Sequence, residues 1–179
     1  MTTYPIYQQN PQPSVWSPRI YDVLLAILFL GPIISPLFRA TGLPLLSESG
    51  VLARDVLATY ICPTPDRSYL LAGLPMAVCA RCWGATIGLW MARLLPTRPG
   101  SAFRPLIDGL MRLPWMLRLL LCALPFLLWP LEIVGMAQGW WYAPLWLLLI
   151  NGALAGFSAG LFFCSIWPGM WPSAPEHRA

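Results

Sequence analysis

The sequence predicts an all-α integral membrane protein with four transmembrane helices, a short extracytoplasmic helix after the first and a short cytoplasmic interfacial helix after the second. Three observations carry this expectation. Of 179 residues, 58% are hydrophobic and only 10% charged, where soluble domains carry roughly a quarter, and mean hydropathy reaches +0.63. Apolar runs long enough to cross a bilayer recur along the chain. Aromatic residues stand where those runs end, at Trp16, Tyr21, Trp115, Trp140, Trp141, Tyr142, Trp167 and Trp171, the interface positions suited to an amphipathic ring.

Residues 1–18 are rich in Pro, Gln, Ser and Thr and read as a polar tail, since such a composition cannot fill a core. No basic segment precedes the first apolar run and no small-x-small cleavage site follows it, so a cleaved signal peptide is not expected. Residues 19–168 read as one membrane domain, and 169–179 as a short polar tail.

The first span covers about 20–38, with Gly31-Pro32 and Pro36 bending its outer half and Asp22 near its start. In the loop that follows, Ser47 to Tyr60 predicts a short helix with Leu52, Val56 and Tyr60 on one stripe. The prolines of Cys62-Pro63-Thr64-Pro65-Asp66-Arg67-Ser68 then stop any helix.

The second span covers about 76–95 and begins with Cys79, Arg81 and Cys82. Ala80, Gly84, Gly88 and Ala92 recur every four residues, a small-residue stripe that admits another helix backbone. Arg104, Asp108 and Arg112 fall at i, i+4 and i+8, opposite Leu106, Ile107, Leu110 and Met111, which predicts a helix lying in the membrane surface.

The third span, about 115–136, contains Pro125, Pro130 and Glu132. The fourth, about 142–167, carries a second stripe at Gly152, Gly156 and Gly160 beside Asn151 and Ser158. The simplest use of two stripes is to pack the second and fourth spans together.

All eleven basic residues are Arg. With the N-terminus inside, the inner side holds Arg19, Arg93, Arg98, Arg104, Arg112, Arg118 and Arg178, and the outer side Arg39, Arg54, Arg67 and Arg81. That bias predicts a multi-pass membrane protein with both termini cytoplasmic. The arginines flank apolar runs instead of clustering among aromatics, which excludes a nucleic-acid binder. The expected partners are the lipid bilayer and other membrane subunits.

Chemistry concentrates at Cys79-Ala80-Arg81-Cys82. This C-x-x-C opens a helix, where unpaired N–H groups, a partial positive charge and Arg81 favour thiolate. Cys62 lies upstream across a proline-containing turn and can fold back onto the pair. Three readings follow. The thiols could ligate zinc or iron, with Asp66 as a fourth ligand, because structural zinc takes four N or S donors. Cys79 and Cys82, aided by Arg81, could exchange thiols and disulfides with Cys62 as partner thiol. Or the cysteines could cap the bundle structurally. Cys122 and Cys164 fall within spans as small core residues, and His177 lies in the tail.

Arg81 could snorkel to the headgroups or pair with Asp66 or Glu132. Ionisable groups inside a membrane are functional candidates, so Arg81 and Glu132 are both kept as such. Asn151 is expected to hydrogen-bond across a helix interface.

From Cys62 to Gly88 the chain resembles a family of small bacterial membrane proteins known only as a domain of unknown function. Its pattern is a Cys-His pair, Pro-x-Arg-Ser-aromatic, Cys-Ala-Arg-Cys-Thr-Gly and a further Gly. Here stand Cys62, Pro65-Asp66-Arg67-Ser68-Tyr69, Cys79-Ala80-Arg81-Cys82-Trp83-Gly84 and Gly88. Pro63 replaces the family's His and Trp83 its Thr, so a ligand set of Cys-His plus Cys-x-x-Cys would have lost one member. The resemblance implies a helical membrane fold and no particular activity.

The sequence shows no phosphate-binding Gly loop, no Ser/His/Asp set and no row of intramembrane charges. The expected function is therefore a non-catalytic accessory or structural subunit of a larger membrane complex, needing no cofactor. An extracytoplasmic thiol–disulfide oxidoreductase is the alternative and a Cys-ligated metal-binding module the third.

Overall fold

Ser17 starts the first helix by accepting the Arg19 N–H at 3.3 Å, with Pro18 in the first turn, where its missing donor costs nothing. The computed structural model describes residues 17–62, 64–97, 101–167 and 170. Trp16, Pro63, Arg98, Trp171, His177, Arg178 and nearly all of both expected tails lie outside the described residues.

Helix α1 runs from Pro18 to Ala40 and α2 from Pro44 to Tyr60. Gly42 turns the chain between them at φ +67°, a conformation glycine adopts without strain. α2 then folds back along the second half of α1. Ser35 Oγ donates to the Gly50 carbonyl at 2.7 Å, and a Cβ on Gly50 would meet Ser35 O at 2.7 Å. The helix expected from Ser47 therefore starts earlier and packs through Gly50. Leu52, Val56 and Tyr60, the stripe read from the sequence, point outward at 65%, 45% and 81% exposure.

A two-stranded ribbon follows, β1 Leu70–Leu71 against β2 Leu74–Pro75, with Leu70 opposite Pro75. Ala72 and Gly73 make its turn, both at positive φ, which matches strand twist. This ribbon departs from the all-α expectation; two residues per strand leave no alternation to read.

Helix α3 runs from Ala80 to Leu94, followed by a 3-10 turn at Leu95–Thr97. Its 15 residues rise about 22 Å, short of the ~30 Å hydrocarbon core. The expected second span, 76–95, is thus helical only from residue 80. Met76, Ala77, Val78 and Cys79 are buried yet not helical, because their backbone is satisfied from outside: Ala77 N–H reaches Pro32 O at 3.4 Å and Ala80 N–H reaches Arg67 O at 2.9 Å.

α4 covers Arg104–Arg112; Ile107 and Leu110 are buried beside Ala92, Cys122 and Leu161, while Leu106 and Met111 stay exposed. α5 (Trp115–Ala123) and α6 (Leu128–Ala137) join through a 3-10 turn at Leu124–Leu127, where Pro125 lacks the N–H a continuous α-helix requires. α7 runs from Leu145 to Ile166. Among the described residues three segments are long and apolar enough to cross a membrane, Pro18–Ala40, Trp115–Ala137 and Leu145–Ile166.

The core is the α3–α7 interface. A Cβ on Gly84 would collide with the Leu149 carbonyl, on Gly88 with Ala153, on Gly152 with Arg81 and on Gly156 with Ala85; on Gly160 it would sit 2.6 Å from Ala92 Cβ. Contact positions rise together along both helices, so α3 and α7 run parallel with backbones touching. Near the start of α1, Arg93 Nε donates to Asp22 Oδ1 at 3.1 Å and its Nη1 to the Met170 carbonyl at 2.5 Å. Met170 is buried at 2% exposure, so the chain packs against the bundle two residues beyond the expected domain end.

Candidate thiol site

The last turn of α2 delivers Cys62: its N–H and that of Ile61 both reach the Leu57 carbonyl at 3.0 Å. Cys79 is the N-cap of α3, and its sulfur accepts the Cys82 N–H at 3.4 Å. The Cys79 N–H in turn donates to Cys62 Sγ at 3.1 Å. Two backbone amides therefore point at two sulfurs, and α3's N-terminus adds its partial positive charge.

The result is a gathered set. The sulfurs of Cys62, Cys79 and Cys82 lie within 4.8 Å of one another, with Cys79 and Cys82 at 3.4 Å, and all are free thiols. Leu57, Val78 and Trp83 pack around them. Phe29 stacks on Trp83 at 5.7 Å and Tyr69 meets it edge-on at 6.2 Å. Cys62 and Cys79 are buried and Cys82 partly exposed. A hydrogen bond with Cys79 holds the Cys62 thiol above its ordinary pKa.

Zinc–sulfur bonds of ~2.3 Å place three sulfurs around one ion ~4 Å apart, and the spacing here suits that. Asp66, expected as a fourth ligand, is exposed and outside the group. Cys122 belongs to the cluster beneath α4, and Cys164 is buried in α7; neither belongs to the group of three.

One residue into α3 the chemistry changes. Arg81, 2% exposed, pairs with Glu132 rather than Asp66: Nη2 to Oε1 is 2.6 Å. Asn151 Nδ2 donates to the other Glu132 oxygen, so α3, α6 and α7 meet in one buried network. The Arg81 guanidinium lies 5.8 Å from the Trp129 ring, a cation–π contact. Arg81 Nε and Nη1 and Asn151 Oδ1 are buried without partners.

Arg67, which the sequence places in the exposed loop, instead lies 4.3 Å over the Tyr142 ring and donates to the Ala143 carbonyl. It ties the cysteine loop to the entry of α7. The residues it grips are 75 positions away in sequence or more, and no local periodicity links them.

Apolar helices of membrane-crossing length, glycine-packed and joined through a buried ion pair, define a helical membrane protein with a three-cysteine cluster. The chain belongs to the family described as "Predicted membrane protein (DUF2085)", whose family model matches residues 62–162, more than half of its length. The function of that family is not established. The matched region starts at Cys62 and takes in the thiol cluster, the Arg81–Glu132–Asn151 network and the α3–α7 interface. No curated protein and no solved structure matches the chain.

Proposed function

We propose that this chain is a non-catalytic, multi-pass subunit of a bacterial inner membrane whose three cysteines form a metal site pinning α2 and the ribbon loop to the head of α3. In this reading α3 is a crossing segment besides the three long helices, second in chain order and completed across the bilayer by the buried loop 76–79, and both termini are cytoplasmic. The small-residue stripes hold α3 and α7 together, and other subunits of a larger complex cover part of the exposed helix surface.

The carrying observation is the sulfur cluster with its two amide donors. Thiolates held by N–H groups at a helix N-terminus are ready ligands for a soft or borderline cation. The test is metal analysis of detergent-purified protein, with thiol labelling of the same sample. About one metal per chain, protecting Cys62, Cys79 and Cys82 from alkylation, is expected. Fully labelled, metal-free thiols in folded protein would refute it. Migration only as a single ~20 kDa species (the chain is 19.9 kDa) would remove the larger complex from the proposal.

The 3.4 Å approach of Cys79 and Cys82 favours thiol–disulfide exchange as the second reading. The Cys79 thiolate would attack a substrate disulfide, expelling one substrate thiolate, and Cys82 would then release the other as the Cys79–Cys82 disulfide forms. Cys82→Ser would trap the mixed disulfide through Cys79; a trap that collects none refutes it.

A further inference from the structure

We infer that the cysteine site is a three-coordinate centre selective for copper(I) over zinc. This rests on the metal reading above and names the ion. Three thiol sulfurs gather within 4.8 Å, and among the described residues no His, Asp, Glu or further Cys joins them. Zinc in structural sites takes four ligands almost without exception. A closed-shell monovalent ion with a preference for thiolate is satisfied by fewer.

The surroundings point the same way. Cys79 is 0% and Cys62 4% exposed, and their walls are Leu57, Val78 and the Phe29-stacked Trp83. Burial keeps bulk water from two of the three sulfurs, those of Cys62 and Cys79. The amides of Cys79 and Cys82, aimed at sulfur, offset the negative charge a monovalent ion leaves on its thiolates. Copper(I) thus asks for what the site has and for nothing it lacks.

The sequence also supplies the converse variant. Pro63 stands beside Cys62 where the family pattern resembled by this chain has His. Pro63→His adds an imidazole nitrogen next to Cys62 in the sequence.

The experiment compares wild type, Pro63→His and Cys79→Ser as full-length detergent-purified protein. Each is titrated with zinc and, under ascorbate, with copper(I) against a copper(I) chelator. X-ray absorption on the loaded samples reads the ligands. The expected result is one copper(I) on three sulfurs in the wild type, with zinc unable to displace it. Pro63→His should tighten zinc binding on the order of 100-fold, the share of one donor in a four-ligand site. Cys79→Ser should bind neither ion while Cys122→Ser binds as wild type, which separates ligand loss from general damage by cysteine substitution. Zinc held as tightly as copper(I) by the wild type, with a light fourth ligand, would overturn the inference and leave the metal reading standing. Retention of neither ion by folded wild type would overturn both.

Discussion

Replacing Glu132 with alanine should be among the most damaging single changes in this protein. Arg81 keeps 2% of its surface and its partner's side chain 8%, with 2.6 Å between Nη2 and Oε1. Nε and Nη1 of Arg81 already lack partners, so no second acceptor stands by. Removing one member of a buried pair leaves the other charged and dry, a loss of about 3–5 kcal/mol. At 1.4 kcal/mol per tenfold, that lowers the folded-to-unfolded ratio by about 150- to 5,000-fold. Glu132→Gln should lose less, because an amide still accepts from Asn151 or Arg81. The double variant Arg81→Met/Glu132→Leu should recover most of the loss, since well-packed apolar replacements of buried pairs are often neutral or stabilising. The assay is unfolding by SDS titration in mixed micelles, followed by tryptophan fluorescence. Glu132→Ala unfolding within ~1 kcal/mol of wild type would show that the pair does not hold α3, α6 and α7 together, and the reasoning would fail.

Three further outcomes are expected. Gly156→Leu, driven into the Ala85 backbone, should cost about 1–3 kcal/mol or more by overpacking, whereas Gly109→Ala, with open space at its Cβ position, should gain about 0.5–1 kcal/mol in helix α4; the same titration reads both. The metal-free protein should lose stability above the ordinary thiol value of 9.0, because Cys62 is held protonated by its bond with Cys79. That contribution is complete below pH 9 and disappears as pH climbs through the raised value in the folded state; Cys62→Ser should lessen the loss above pH 9 and bound metal should flatten it, as read by thermal melts. Arg67→Ala should free the cysteine loop from Tyr142 and Ala143 and speed alkylation of Cys62, measured by timed labelling, while Arg54→Ala leaves the rate unchanged.

Much of this was legible before any coordinates. The three long apolar helices are composition and length, and sequence reads those directly. The glycine stripes were legible because a spacing of four residues puts small side chains on one helix face, and Gly84, Gly88, Gly152 and Gly156 all meet backbone. The pairing of Arg81 with Glu132 was one of two candidates, and burial decided it: Asp66 sits in an exposed stretch where water solvates its charge. What was illegible depends on contacts between distant residues. α2 reads as a loop helix because its apolar stripe suggests burial, yet the face it buries centres on Gly50, whose signal is the absence of a side chain. Met76 to Cys79 reads as helix from hydrophobicity, but Pro32 and Arg67, far off in sequence, take the hydrogen bonds a helix would have made. The third thiol's proximity could be anticipated from its position before a proline turn; the amides aimed at the sulfurs could not.

The parallel fit of α3 on α7 has a consequence for synthesis. α3 is short, and the groove that accepts its glycine face belongs to α7, which is made later. About seventy residues separate Leu94 from Ile166, so a ribosome working at ~5–20 residues per second finishes α7 some 4–14 seconds after α3 has emerged. Throughout that interval α3 has no glycine-lined partner, and the carboxylate that neutralises Arg81 is itself still to come or only just translated. Truncation before α7 therefore strands α3 without its partner helix, and truncation before Glu132 also leaves the Arg81 guanidinium bare. Quality-control proteases of the membrane would meet that species, which makes α7 the checkpoint for the core it shares with α3.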